Sequence, residues 1–238
     1  CGGKLDPELA AIDDVGKAER VEDVSGRYIE FIKSIVNNIS LKGYKIVVDC
    51  ANGAAYRVAP AVFEELGAEV IELGTNPDGI NINEDCGSMH TAESQEQIIA
   101  RGADAGVAFD GDADRAILID ERGQIVDGDH VMAICALHYA RTSGLPQNAV
   151  IGTVMSNIGL ELVLAGHGIT LVRTPVGDRY VSEEMRRTGA IIGGEKSGHI
   201  IFSRHATTGD GIITALQDLQ VTRETGKSPS ELASIMEA

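Results

Sequence analysis

The sequence predicts an α/β protein made of two similar units. Short apolar runs alternate with segments of helical spacing, and the alternation starts afresh near Asp127. The runs are filled by Val, Ile, Leu and Ala beside 28 glycines, with no Trp. Strands buried on both faces read as short unbroken apolar runs of this kind. Two successive alternations favour two α/β units over one large sheet.

Residues 1–20 are charged and weakly patterned, and read as a linker or the tail of something upstream. A first unit then occupies 21–124 and a second 125–238. In the first, residues 26–36 have helical spacing and 45–51 form a strand that ends at Asn52-Gly53. Residues 54–66 read as a helix whose first turn Pro60 should shift or kink, since proline lacks the N–H. A strand at 69–73, a polar loop at 75–79, a helix at 92–100 and strands at 105–109 and 116–119 follow, closed by a turn at 121–123.

In the second unit Asp129 should cap a helix through Tyr139, which Gly144 and Pro146 end. Strand 149–154, helix 158–165, strand 170–173, a helix after Asp178 to Arg187 and a strand at Ile191-Ile192 lead to a last long helix at 212–222. Residues 47–53 and 152–158 echo each other as strand, small residues and Asn, which supports a repeated unit.

Thirty-six acidic against 20 basic residues give a formal charge of -16, which repels a nucleic-acid backbone. An anionic substrate would need a locally basic pocket within that field. Cys1, Cys50, Cys86 and Cys135 lie far apart without a C-x-x-C pair, so they are expected to be reduced thiols of a cytoplasmic protein. No apolar run approaches the ~18 residues of a membrane helix, and a soluble protein is expected.

Three segments carry chemistry. In Phe109-Asp110-Gly111-Asp112-Ala113-Asp114-Arg115, carboxylates at alternate positions can converge from one face of an extended segment. Such an oxygen-rich cluster suits a hard cation such as Mg2+, and Arg115 adds a fork for phosphate beside it. An EF-hand loop also opens D-x-D-x-D, but Arg115 stands where that loop needs Gly. A haloacid-dehalogenase-type site would want Thr or Val in place of Asp114, and a solvated acidic turn is the plainest alternative.

Gly193-Gly194-Glu195-Lys196-Ser197-Gly198-His199 follows a strand and offers Glu195, Ser197 and His199 to a polar ligand such as a sugar, with His199 or Glu195 able to move protons. A simple chain turn is the competing reading. Thr174-Pro175-Val176-Gly177-Asp178-Arg179 lies at a strand end, where open α/β sheets bind ligands, although Asp178 could only be capping a helix.

Residues 110–115 resemble the metal loop of the α-D-phosphohexomutase superfamily, and 194–199 its sugar-binding loop. Residues 49–54, 76–81, 152–157 and 177–181 resemble the phosphoglucosamine mutase branch. The resemblance implies two similar three-layer α/β domains with mixed sheets, the middle part of a four-domain enzyme. It implies that Asp110, Asp112 and Asp114 hold Mg2+ together with a phosphoserine, and that Arg115 lies near the transferred phosphoryl group. Glu195 and Ser197 would bind sugar hydroxyls, Thr174, Gly177 and Asp178 would line the substrate, and His199 would aid proton transfer.

The reaction implied converts glucosamine 6-phosphate to glucosamine 1-phosphate through a 1,6-bisphosphate, for cell-wall precursor synthesis. Neither a Thr-x-Ser-His-Asn-Pro-like serine loop nor an Arg-Pro-Ser-Gly-Thr-Glu-Pro-like phosphate loop occurs in the 238 residues. The chain is therefore expected to be a fragment of a longer protein, inactive alone. Another phosphohexomutase acting on glucose or mannose phosphates, and a non-catalytic sugar-phosphate or metal-binding module, are the alternatives.

Overall fold

A computed structural model describes residues 23–37 and 39–236. The expectations for residues 1–20, and for Cys1, lie outside the described residues.

Two mixed sheets carry the fold. The first has strand order β2-β1-β3-β4-β5, formed by β1 (Lys45–Asp49), β2 (Glu69–Leu73), β3 (Ala105–Phe109), β4 (Ala116–Asp120) and β5 (Ile125–Val126). The second has order β7-β6-β8-β9, formed by β6 (Ala149–Thr153), β7 (Thr170–Thr174), β8 (Ile192–Gly194) and β9 (Ile200–Phe202). In each, three strands run parallel and the next turns back: β3 pairs antiparallel with β4, and β8 with β9. The repeat read from the sequence is thus a repeat of topology. The short β5 and β9 carried too few residues to show a period, and β5 extends the first sheet to Val126.

Helix α1 (Val24–Ile35) buries Ile29 and Ile32, at the spacing that puts both on one face. The expected helix at 54–66 is a 3-10 turn (Ala54–Tyr56) followed by α2 (Val58–Glu65), with Pro60 in the first turn of α2, where its missing N–H costs nothing. Helix α3 (Ala92–Arg101) ends at Gly102 in the left-handed conformation. Helix α4 (Gly128–Arg141) is capped by Asp127, which accepts from the His130 N–H. The expected cap, Asp129, is instead a buried first-turn residue whose carboxylate accepts from the Asn157 N–H at 2.7 Å. That bond ties α4 to the start of α5 (Ile158–Gly166).

Helix α6 (Asp178–Thr188) packs on the second sheet through Val181 and Met185. Helix α7 (Gly211–Thr225) is buried on nearly every side, which is why its sequence has no clear polar face. It is not the last helix: α8 (Pro229–Ala233) follows, opened by a capping box of Ser228 and Glu231. Helix α7 packs on both β4 and β9, so one core runs from Phe63 through Phe109 to Leu160 without a break between the sheets. No helix among the described residues is long and apolar enough to cross a membrane.

Candidate active site

The two chemistry-bearing loops occupy equivalent places. Residues 110–115 join β3 to β4 and residues 195–199 join β8 to β9, each where its sheet turns from parallel to antiparallel. Both lie beyond the carboxyl ends of parallel strands, the edge at which such sheets bind ligands. The loops also touch. Arg115 and His199 form an antiparallel bridge, and the Ala116 N–H donates to the Gly198 carbonyl at 3.2 Å. Gly198 has φ +93°, and a Cβ there would lie 2.3 Å from the Ala116 oxygen, so glycine is required on both counts.

In the acidic loop, Asp110, Asp112 and Asp114 each bring one carboxylate oxygen within 4.8 Å of the others. The loop is a turn rather than the extended segment expected, with Ala113 between Asp112 and Asp114 in the left-handed conformation at φ 61°. Asp110 accepts from the Arg115 N–H at 3.2 Å. The Arg115 Nε lies 3.6 Å from Asp110 and 3.7 Å from Asp114, attracted but beyond hydrogen bonding. Burial, together with the charges of Asp114 and Asp112, raises the Asp110 pKa to about 6. The buried Asp114 Oδ1 has no hydrogen-bond partner. An under-satisfied set of three carboxylates is a donor set that fits a hard divalent cation.

Behind this loop the chain packs backbone to backbone. A Cβ at Gly53 would lie 2.2 Å from the Gly111 oxygen, and the Ala54 N–H donates to that same oxygen. Asp49, buried at the end of β1, accepts from the Ala51 and Gly87 N–H groups at 2.9 and 2.7 Å. Sequence reading gave Asp49 no role, since a lone Asp at a strand end carries no distinguishing signal.

In the second loop, Glu195 Oε1 accepts from the Gly177 N–H at 2.9 Å, bringing together two residues singled out separately. The Gly128 N–H donates to the Lys196 carbonyl, and Lys196 Nζ stands 3.6 Å from Asp127. Ser197 is exposed. His199 is 3% exposed, neither ring nitrogen is hydrogen-bonded, and Nε2 lies 3.6 Å from Asp114 Oδ2. The histidine of one sheet's loop therefore faces the carboxylates of the other's.

Thr174 is buried, its hydroxyl shared between the Gly152 and Pro175 carbonyls, so it shapes the strand end. Gly177 is the N-cap of α6, and Asp178 is its exposed first residue, with its charge at the favourable helix end. A cleft of about 390 Å³ is lined by Tyr28, Asp112, Asp114, Thr208, Gly209 and Asp210, among others.

Residues 26–123 match the family model described as phosphoglucomutase/phosphomannomutase, alpha/beta/alpha domain II, and residues 127–238 match domain III. The chain is 53% identical over 238 residues to a phosphoglucosamine mutase of Syntrophotalea carbinolica, covering all of this chain and 52% of that protein. It is 54% identical over 231 residues to one of Brucella anthropi, covering 97% and 51%. The chain spans about half the length of the curated relatives it matches. A phosphoglucomutase/phosphomannomutase family protein of Burkholderia thailandensis superposes with a TM-score of 0.79 at 28% identity, over 90% of this chain and 47% of that one. An N-acetylphosphoglucosamine mutase of Aspergillus fumigatus, solved with GlcNAc-6P and magnesium, shares the fold with a TM-score of 0.69 at 20% identity, over 88% and 53%.

Proposed function

This chain belongs to the phosphoglucomutase/phosphomannomutase family, and we propose that it supplies the cation-binding and sugar-binding domains of a phosphoglucosamine mutase. The carrying observation is the contact of the two loops, which sets the buried His199 ring 3.6 Å from Asp114 of the acidic loop. The relatives' names support the amino sugar over glucose or mannose phosphates. The first domain runs through Val126 rather than ending at 124, because β5 pairs with β4 in its sheet, and the second domain begins after it.

In this reading Asp110, Asp112 and Asp114 hold Mg2+. When bound, the ion supplies positive charge that offsets the charge of a phosphoryl group in transfer. Arg115, held between two of these carboxylates, presents its guanidinium to the same group. Glu195 is braced by Gly177 and takes sugar hydroxyls with Ser197, while Asp178, next to Gly177, adds a second carboxylate for the substrate and Thr174 fixes the end of β7. The His199 ring nitrogens, free of other partners, take up and return the proton of the reacting hydroxyl. The phosphoryl group passes from a phosphoserine to glucosamine 6-phosphate, and the 1,6-bisphosphate returns its other phosphate, leaving glucosamine 1-phosphate. Such a protein works in the cytoplasm, and its phosphoserine lies outside these 238 residues.

Calorimetric titration of this chain with glucosamine 6-phosphate and glucose 6-phosphate, in magnesium, tests the reading. Tighter binding of the amino sugar is expected, and equal or tighter binding of glucose 6-phosphate would overturn it.

A further inference from the structure

We propose that the turn Gly209-Asp210-Gly211, at the head of α7, is the positioning element that sets the His199 ring against the acidic loop. The proposal rests on residues 110–115 being the cation loop. The His199 ring has no hydrogen bond on either nitrogen, so contact must hold it in place. Gly209 provides that contact. A Cβ there would lie 2.4 Å from His199 Nε2, 2.5 Å from Cδ2 and 2.8 Å from Cε1, so the glycine is seated on the edge of the ring that faces Asp114. On the other side of the turn, the Gly211 N–H donates to the Ala113 carbonyl at 2.9 Å. A Cβ at Gly211 would lie 2.6 Å from the Arg115 oxygen and 2.8 Å from the Phe109 ring.

Neither glycine has a positive φ, so space rather than backbone conformation demands it. Gly211 thereby braces Ala113, the left-handed residue that stands between Asp112 and Asp114. Asp210 fixes the turn itself. Its Oδ1 accepts from the Ile212 and Ile213 N–H groups at 3.0 Å each, and its Oδ2 from the Tyr28 hydroxyl at 2.8 Å. One turn thus meets the acidic loop on one side and the histidine on the other, and is pinned to α1.

The test is NMR of histidine-labelled chain, with His199 assigned, before and after Mn2+, on the parent, Gly209→Ala, Gly211→Ala and Gly166→Ala. The last adds a methyl where nothing lies within 4 Å and serves as the control. Gly209→Ala should shift the metal-free His199 ring signals and reduce their broadening by Mn2+, with Mn2+ affinity within about twofold of the parent. Gly211→Ala should weaken Mn2+ by about tenfold or more. Gly166→Ala should match the parent. Unchanged His199 signals in Gly209→Ala, or losses in both variants that merely track a fall in Tm, would overturn the proposal. A parent that binds no Mn2+ defeats the cation assignment instead, and the metal-free ring shift still decides the role of Gly209. If a glycine variant does not fold, Tyr28→Phe stands in: altered His199 signals support the proposal, and signals identical to the parent's overturn it.

Discussion

Arg115 and His199 pair across the two sheets as a backbone bridge, although 84 residues separate them in the chain. Their side chains bracket Asp114, at 3.7 Å from Arg115 and 3.6 Å from His199. The consequence is that neither loop is complete without the other, and substitutions in each should have separable effects.

Asp112 is exposed, and its side chain makes no hydrogen bond among the described residues. Asp112→Ala should therefore leave Tm unchanged while weakening Mg2+ or Mn2+ by about tenfold or more, as loss of one of three carboxylate donors requires. Titration calorimetry beside a thermal melt checks this, and a parallel fall in Tm would count against a purely cation-binding role.

Glu195→Gln should separate bracing from charge. The amide oxygen can still accept from the Gly177 N–H, so the loop should stay in place. Affinity for the sugar phosphate should drop by about fivefold to tenfold, the difference between a charge-assisted and a neutral hydrogen bond. Glu195→Ala should lose affinity and also raise the hydrogen exchange of Gly177.

Asp218, on α7, is buried against α4, and its Oδ1 has no hydrogen-bond partner. Burial raises its pKa to about 7, which His130 partly opposes, and Cys135 is its other titratable neighbour on α4. The folded protein therefore keeps a proton that the unfolded chain, with an ordinary Asp, has already lost. Stability falls as pH rises from about 4 to 7, and the cost is fully present above 7. Asp218→Asn should flatten this dependence, by on the order of 4 kcal/mol across that window. Thermal melts at several pH values measure it, and an equal slope in parent and variant would refute it.

The legibility of this fold was uneven, for physical reasons. The longer strands and helices announced themselves because five or more residues suffice to show a period, and the D-x-D-x-D run and Gly-Glu-Lys-Ser-Gly-His segment are dense in functional groups. Strands β5 and β9, of 2 and 3 residues, are too short for that. The cap of α4 was misplaced because Asp127 and Asp129 are equally good cap residues, and only the bond from Asn157 decides between them. Gly209 and Gly211 were invisible as site residues, since their part is to leave room for His199 and Arg115, which are distant in sequence. A glycine that makes space is distinguished from one that turns the chain only by what stands opposite it.

The most direct measurement is a mutase assay, with magnesium, on the polypeptide of the relatives' length that carries these 238 residues. It should compare kcat/KM for glucosamine, glucose and mannose 6-phosphates, and repeat the assay with Asp112→Ala. A preference for glucosamine 6-phosphate that Asp112→Ala abolishes is the expected result. Turnover of none of the three by serine-phosphorylated protein, or turnover that survives the loss of Asp112 undiminished, would contradict the assignment of these two loops as one phosphoryl-transfer site.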